Sequence, residues 1–313
     1  MALRRIVLAQ PSGFCSGVER AVTMVEAALA ASGEPLYCFR ELVHNRQVIA
    51  ALAGRGVVFV DDLAAVPAGG RVVFSAHGVA PAVYLSAAER GLKVIDATCP
   101  FVARVHARVR GFVVRGCRVL LVGHRGHDEV RGIVGEAPEH VQVIENEQEA
   151  WGVQVPAGLP LAVVTQTTLS MMDTAQVMRV LKHRFPDLEG LSRHDICHAT
   201  QKRQLGVMQL ARQTDLVLVL GAANSSNTNR LVEVARAVGG RAQLISQAGD
   251  LAGLALASLD TVGVTAGAST PESFVREVVA ILSQHGSPEA TTLRVSSEEV
   301  PPGVSEPAAG GEL

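Results

Sequence analysis

The chain has 313 residues, with 28 lysines and arginines against 30 aspartates and glutamates, so its formal net charge is −2. A hydrophobic content of 48% is typical of a compact protein with a buried core and excludes a disordered chain. The basic residues are scattered rather than clustered with aromatics, which argues against nucleic acid as a partner. The uncharged stretch at 151–172 contains prolines, glutamines and threonines and is too polar to span a membrane. With no recognisable secretion signal, the sequence predicts a cytoplasmic protein.

Short runs rich in β-branched residues alternate with helical patterns, which predicts an α/β fold with small parallel sheets. In chain order, the predicted strands are 6–9, 57–60, 72–75, 94–96, 119–123, 162–165, 216–220 and 262–265. The first helix is predicted to follow Cys15, where Ser16 and Glu19 have the spacing of a capping box. The second helix is predicted to begin at Pro100, directly after Cys99.

Three cysteines recur with polar residues at similar distances behind them. His44 follows Cys15 by 29 residues, and the pairs Cys99 with His127 and Cys197 with Ser225 are each separated by 28. A second polar position follows each cysteine by 62, 68 and 72 residues, and these positions are His77, Thr167 and Ser269. Each of these three follows a predicted strand, which is where α/β proteins place ligand contacts.

The repeat predicts three similar α/β units, at 15–99, 100–197 and 198–285. A strand is expected to lead into the second and third cysteines, at 94–96 and in the segment ending at 197. Because the third unit lacks a final strand, we expect the N-terminal strand within 1–14 to complete its sheet. The three units would then form a ring with the cysteines at its centre. The segment 286–313 is rich in Pro, Gly, Ser and Glu, and is predicted to be a disordered tail.

Three convergent cysteines are consistent with two kinds of metal site. A zinc ion held by three thiolates could activate water, and an iron–sulfur cluster could use the thiolates on three of its irons. Helix starts behind the cysteines would favour the thiolate form. The alternative is that the cysteines are small buried core residues, which is the interpretation adopted here for Cys38 and Cys117.

The polar positions around the cysteines carry mostly neutral donors, which suit an anion such as phosphate. They are His44, His77, His127, Thr167, Ser225, Ser226, Asn227 and Ser269. Neither a Walker loop nor a GxGxxG motif is present, so a nucleotide-binding loop of either kind is excluded. Glu129, two residues after His127, is a candidate proton donor, and Asp128 is an equal candidate from position alone.

These residues lie in nine ordered blocks that resemble the LytB/IspH family of 4-hydroxy-3-methylbut-2-enyl diphosphate reductases. The resemblance extends from residue 4 to about 285. The blocks are PSGFCSGVERAV, LVHNRQVI, SAHGV, DATCPFV, GHRGHDEVRG, TQTTLS, DICHATQKRQ, NSSNTNRL and VTAGAST.

The resemblance implies a trefoil-like arrangement of three α/β units around a central [4Fe-4S] cluster with one open iron, its ligands being Cys15, Cys99 and Cys197. It also implies reduction of (E)-4-hydroxy-3-methylbut-2-enyl diphosphate to isopentenyl and dimethylallyl diphosphate, the last step of the methylerythritol phosphate pathway of isoprenoid biosynthesis. An electron-donor protein such as ferredoxin or flavodoxin would supply the electrons.

The same resemblance assigns roles to the polar residues. Glu129 and Thr167 would orient the substrate hydroxyl and deliver its proton, and His127 would assist them while contacting the diphosphate. The remaining diphosphate contacts would be His44, His77, Ser225, Ser226, Asn227 and Ser269. Two positions depart from the family pattern: Asp128 stands where proline is expected, and His198 stands where an aromatic residue is often found.

Two other functions are consistent with the same cysteine pattern. A redox-neutral hydro-lyase would use the open iron as a Lewis acid and would turn over without an electron donor. An iron–sulfur sensor would carry a partner-binding surface or a DNA-reading element, and the sequence shows neither.

Overall fold

The computed structural model describes residues 3–156, 158–190 and 195–295. Its strands are β1 (Arg5–Gln10), β2 (Leu36–Phe39), β3 (Val57–Val60), β4 (Arg71–Phe74), β5 (Lys93–Asp96), β6 (Arg118–Val122), β7 (Val141–Ile144), β8 (Leu161–Thr165), β9 (Leu216–Leu220), β10 (Ala242–Ile245), β11 (Thr261–Ala266) and β12 (Glu289–Arg294). Its helices are α1 (Ser16–Ala31), α2 (Arg46–Gly54), α3 (Pro81–Glu89), α4 (Pro100–Val114), α5 (Asp128–Val134), α6 (Glu147–Gly152), α7 (Met171–Arg184), α8 (His198–Gln213), α9 (Ser226–Ala237) and α10 (Glu272–Leu282).

The strands form three separate sheets, with orders β3-β2-β4-β5, β7-β6-β8 and β10-β9-β11-β1-β12. Neighbouring strands are parallel in all three. The predicted α/β class is therefore confirmed, and all eight predicted strands are present. The strands β2, β7 and β10 were not predicted, because each is a four-residue run without a distinctive apolar pattern.

The N-terminal strand β1 lies in the third sheet. It pairs with β11, placing Ile6 beside Val262, and on its other side with β12, placing Ile6 beside Ala290. The first strand of the chain therefore shares a sheet with strands that occur more than 200 residues later.

The prediction of a disordered tail from 286 onward is wrong for its first part. Strand β12 at Glu289–Arg294 pairs with β1 along its whole length, from Arg5 beside Glu289 to Gln10 beside Arg294. It is a largely exposed edge strand, so its main-chain hydrogen bonds hold it in place without the apolar alternation that sequence reading requires. The remainder of the predicted tail, 296–313, lies outside the described residues.

The strand expected before Cys197 is also absent from residues 195–197, while 191–194 lie outside the described residues. Instead, the Asp195 carboxylate accepts a hydrogen bond from the Thr165 backbone N–H at 3.0 Å. The Asp195 backbone N–H donates to the Thr165 hydroxyl at 2.9 Å. Two side-chain bonds and one main-chain bond, from the Cys197 N–H to the Thr167 carbonyl at 3.1 Å, thus hold this segment beside the end of β8 without a strand.

Each sheet is covered by a hydrophobic cluster on both faces. In the first sheet, for example, Val73 packs with α1 residues on one face, whereas Val72 and Phe74 pack with Phe39 and Ala87 on the other. The near-continuous apolar runs of β6, β9 and β11 are explained by this two-sided burial. Within the part of the chain that the structure describes, no helix has the length and apolar character needed to cross a membrane.

Candidate functional site

The three repeated cysteines occupy the same local position, the residue immediately before a long helix. Cys15, Cys99 and Cys197 are the N-cap residues of α1, α4 and α8, and no side chain caps any of the three helices. The capping box expected for Ser16 and Glu19 is therefore not formed, because Ser16 is already inside the helix. First-turn backbone N–H groups still act on the sulfurs electrostatically, since those of Phe101 and Val102 lower the pKa of Cys99 against the larger effect of burial.

All twelve side chains predicted for the site line one cavity, which encloses about 640 Å³ of empty space out to its mouth. The three cysteines are free thiols on its wall. Gly17 makes their approach possible, since a Cβ at this position would lie 2.6 Å from the Cys99 sulfur and 3.9 Å from that of Cys15. A side chain on residue 17 would thus occupy the space between two of the sulfurs.

Burial outweighs the favourable effect of the helix starts on the pKa values of Cys99 and Cys197. It raises the pKa of Cys197 to about 11, even though bonds from Thr200 oppose this, and it also raises the pKa of Cys99. As free thiols, Cys99 and Cys197 are protonated at neutral pH, and a coordinated metal would favour their ionised form. Cys38 and Cys117 are 0% and 1% exposed and lie in hydrophobic clusters, which confirms them as core residues.

Three histidines from two of the sheets meet at another part of the cavity. The rings of His44 and His77 stack with centroids 4.1 Å apart, and His127 stands edge-on to both at 5.2 and 5.6 Å. Each follows a strand, with His44 after β2, His77 after β4 and His127 after β6. They therefore lie at the carboxyl ends of parallel strands, which the sequence predicted for His77 but not for His44, because β2 was not predicted.

Burial keeps two of these imidazoles neutral. It lowers the pKa of His77 well below its ordinary value and that of His127 to about 4, and the neighbouring His44 depresses both further. A neutral imidazole offers one N–H donor, and an anion placed beside His77 and His127 would favour the protonated form of these two rings. The histidine cluster is thus a site whose positive charge would develop when an anion binds.

The third sheet contributes hydroxyl and amide groups to the same cavity. Ser225 is the N-cap of α9, and its hydroxyl accepts from the Thr228 backbone N–H at 3.3 Å. Ser269, after β11, donates to the His44 backbone carbonyl at 3.0 Å and so joins the first and third sheets. The Asn227 amide donates to the Thr200 hydroxyl at 3.1 Å, and its oxygen accepts from the Ala268 backbone N–H.

Glu129 and Thr167 form a buried pair within the cavity. Glu129 is only 1% exposed, and its carboxylate accepts two hydrogen bonds from Thr167. The Thr167 backbone N–H reaches Oε1 at 2.7 Å, and its hydroxyl reaches Oε2 at 3.0 Å. Burial raises the pKa of Glu129 to about 7, although the bonds from Thr167 oppose this. This carboxyl can therefore hold or release a proton near neutral pH.

The structure separates the two candidate proton donors. Asp128 lies outside the cavity of the cysteines and lines an adjoining one that shares His44 and His127 with it. Its carboxylate forms an ion pair with Arg40 at 2.5 Å, which joins the first and second units. Asp128, His44 and His77 each have one potential metal-ligating atom, and these three atoms lie within 4.8 Å of one another. Glu129, and not Asp128, is the acid that faces the predicted site.

Several residues of the site were not predicted. Thr168 donates from its hydroxyl to Ser226 at 3.2 Å, and Thr200 lies within 3.2 Å of the Cys197 sulfur. Thr200 follows Cys197 by one helical turn, so its spacing could have revealed it. Glu41, which contacts Nδ1 of His44 at 2.9 Å, had no comparable signal in the sequence.

The fold and site together define a class of protein. It has three α/β units, each built on a small parallel sheet, whose cysteines and polar loops line one shared cavity. A sequence model described as "LytB protein" matches residues 6–283. The chain belongs to the LytB family.

Named relatives agree with this assignment. The chain is 46% identical over 296 residues to the 4-hydroxy-3-methylbut-2-enyl diphosphate reductase of Burkholderia pseudomallei, covering 95% of each chain. It is 48% identical over 284 residues to the enzyme of the same name from Mycolicibacterium gilvum, covering 90% of this chain and 85% of that one. The fold matches the solved E-1-hydroxy-2-methyl-but-2-enyl-4-diphosphate reductase of Plasmodium falciparum with a TM-score of 0.90 at 33% identity, covering 96% and 95% of the two chains.

Proposed function

We propose that this chain is an iron–sulfur reductase that converts (E)-4-hydroxy-3-methylbut-2-enyl diphosphate to isopentenyl and dimethylallyl diphosphate, the last step of the methylerythritol phosphate pathway. The observation that carries the proposal is the composition of one cavity. Three thiols, a polar anion site and a buried carboxyl of raised pKa all line it. The names of the relatives supply the substrate.

The donor set fits a [4Fe-4S] cluster with three cysteine ligands. Cys15, Cys99 and Cys197 are free and share the cavity wall, and the missing side chain of Gly17 leaves space between the sulfurs of Cys15 and Cys99. Thiolates are the usual ligands of such clusters, and three of them leave one iron without a protein ligand. When bound, the cluster would supply electrons and a Lewis-acidic iron.

The diphosphate end of the substrate suits the histidine cluster and the loop of the third sheet. His77 and His127, which stand against the His44 ring, become better donors as an anion raises their pKa. Ser225 and Asn227 lie at the start of α9, where backbone dipoles favour negative charge. No lysine is needed, in agreement with the near-neutral chain. Fixing the diphosphate here would hold the allylic carbons of the substrate in a single orientation.

Glu129 supplies the proton that turns the hydroxyl into water. With a pKa of about 7 it is partly protonated at neutral pH, and the hydroxyl of Thr167, 3.0 Å from Oε2, can pass the proton toward the substrate. Two electrons and two protons balance the reaction: one proton leaves in water and the other ends on carbon. A small electron-transfer protein such as ferredoxin or flavodoxin is proposed as the donor.

The experiment is an anaerobic assay of the reconstituted protein with the hydroxy-diphosphate and a strong one-electron reductant. Formation of both isoprenoid diphosphates, dependent on the reductant, is expected. A protein that carries an intact cluster and forms neither product would refute the proposal. Loss of the hydroxyl without any reductant would indicate a redox-neutral hydro-lyase instead.

A further inference from the structure

Arg203 of α8 is the largest side chain buried almost completely in the described protein, with 2% of its surface exposed. Its guanidinium lies beside the cysteine loops. Nη2 donates to the Gly13 carbonyl at 2.7 Å, two residues before Cys15. Nη1 donates to the Ala199 carbonyl at 3.0 Å, two residues after Cys197. Nε is buried and has no hydrogen-bond partner.

No carboxylate within the described part of the chain pairs with this charge. Among the described residues, Arg203 takes part in no ion pair, whereas the partly buried Arg108 pairs with Asp195. Burial lowers the pKa of Arg203, and the groups whose negative charge would raise it are Cys15 and Cys197. A guanidinium stays protonated in proteins, so Arg203 holds a buried positive charge, and its two fork bonds lie within two residues of Cys15 and Cys197.

Buried charges in folded proteins are normally paired, because leaving one uncompensated is costly. Three thiolates add three negative charges to an iron–sulfur cluster, and reduction adds another. A fixed positive charge in a low-dielectric interior favours the more negative, reduced state. A cluster bound by thiolates would therefore supply the negative charge that no described carboxylate provides for Arg203.

We propose that Arg203 is the buried counter-ion of the cluster held by Cys15, Cys99 and Cys197, and that its positive charge raises the reduction potential of that cluster. This inference rests on the proposed function. Arg203 is a positioning residue, since it does not line the substrate cavity. Arginine suits the role better than lysine in one respect: its fork also bonds the two cysteine loops through the carbonyls of Gly13 and Ala199.

The two roles, charge and loop bonding, can be separated by substitution. Arg203→Lys keeps the charge and loses the fork, whereas Arg203→Met keeps much of the apolar bulk and loses both. Arg71→Met is a matched control. Arg71 is 9% exposed, it also bonds main-chain carbonyls, those of Ala28 and Glu34, and it lies at the start of β4, at the opposite end of that strand from the site.

The experiment is a potentiometric titration of the cluster in the anaerobic holoprotein, with iron and sulfide counted per chain. Arg203→Met is expected to lower the equilibrium constant for one-electron reduction by at least tenfold, which is about 59 mV. Arg203→Lys and Arg71→Met should stay close to the original protein. If Arg203→Met instead fails to retain a cluster that the other two variants keep, the counter-ion role is equally supported.

Two results would overturn the proposal alone. One is a full cluster with an unchanged potential in Arg203→Met. The other is an equal shift or equal cluster loss in Arg203→Lys and Arg203→Met, which would show that the fork and not the charge matters. Failure of the unmodified chain to bind iron and sulfide would overturn the proposed function itself and this inference with it, so the two failures are distinguishable.

Discussion

Replacing Glu129 by glutamine tests the central acid in two independent ways. Glutamine has the same shape, and its carbonyl oxygen can still accept from the Thr167 backbone N–H. It has no titrating proton, so the substitution should leave the cluster in place and remove most turnover. It should also change how the stability of the protein depends on pH, because ionised Glu129 is buried.

The magnitude follows from the pKa of Glu129, which burial raises from its ordinary value of 4.5 to about 7. A group whose pKa is higher in the folded protein than in the unfolded protein contributes its full stabilisation at pH values below the unfolded-state pKa. It loses that contribution as the pH rises through the folded-state pKa. The difference between the two pKa values of Glu129 corresponds to about 3 kcal/mol in the free energy of unfolding, at about 1.4 kcal/mol per pKa unit. Above pH 7, the free energy of unfolding of Glu129→Gln should therefore exceed that of the original chain by about 3 kcal/mol. Below pH 4.5 the substitution should give no increase in stability.

The assay is anaerobic urea unfolding of both proteins between pH 5 and pH 8.5. Glu136→Gln is a control of opposite sign. Burial raises the pKa of Glu136, but bonds from His106 and Arg110 outweigh this and hold it below its ordinary value. That variant should be less stable than the original chain at neutral pH. A stability difference for Glu129→Gln that does not change with pH would refute the reasoning.

Three further substitutions test other parts of the site. Cys99→Ser should lose most iron and sulfide while Cys117→Ser keeps them, and equal retention in an iron assay would remove Cys99 from the ligand set. Thr167→Val removes a hydroxyl donor that lowers the pKa of Glu129, so the alkaline limit of the residual activity should move to higher pH, and an unmoved limit would contradict this contact. Asp128→Asn removes a negative charge beside the histidine cluster. It should lower KM for the diphosphate about fivefold, which corresponds to roughly 1 kcal/mol. An unchanged or higher KM would show that this charge does not oppose binding.

Much of the fold could be predicted because its signals are local. Parallel strands buried on both faces are rich in apolar residues, so β6 and β9 are visible as runs of leucine and valine, and β11 by its alternating valines. The cysteine spacing indicated the site because each cysteine precedes a helix in an equivalent unit. Strand β12 was missed, since an exposed edge strand is held by main-chain bonds to β1 that its composition does not encode.

The electrostatics of the site were harder to predict than its members. Position favoured Asp128 and Glu129 equally, and only the fold shows that one pairs with Arg40 while the other is buried against Thr167. Likewise, the helix starts suggested ionised cysteines, but burial raises the pKa of Cys197 to about 11. Desolvation depends on the packing of distant segments, so no local pattern reveals it.

The central claim is tested most directly by counting electrons. Anaerobic protein carrying its cluster, titrated with a one-electron reductant in the presence of the hydroxy-diphosphate, should consume two electrons for every molecule of isopentenyl or dimethylallyl diphosphate formed. Loss of the hydroxyl with no electrons consumed, or electrons consumed without either product, would contradict the account.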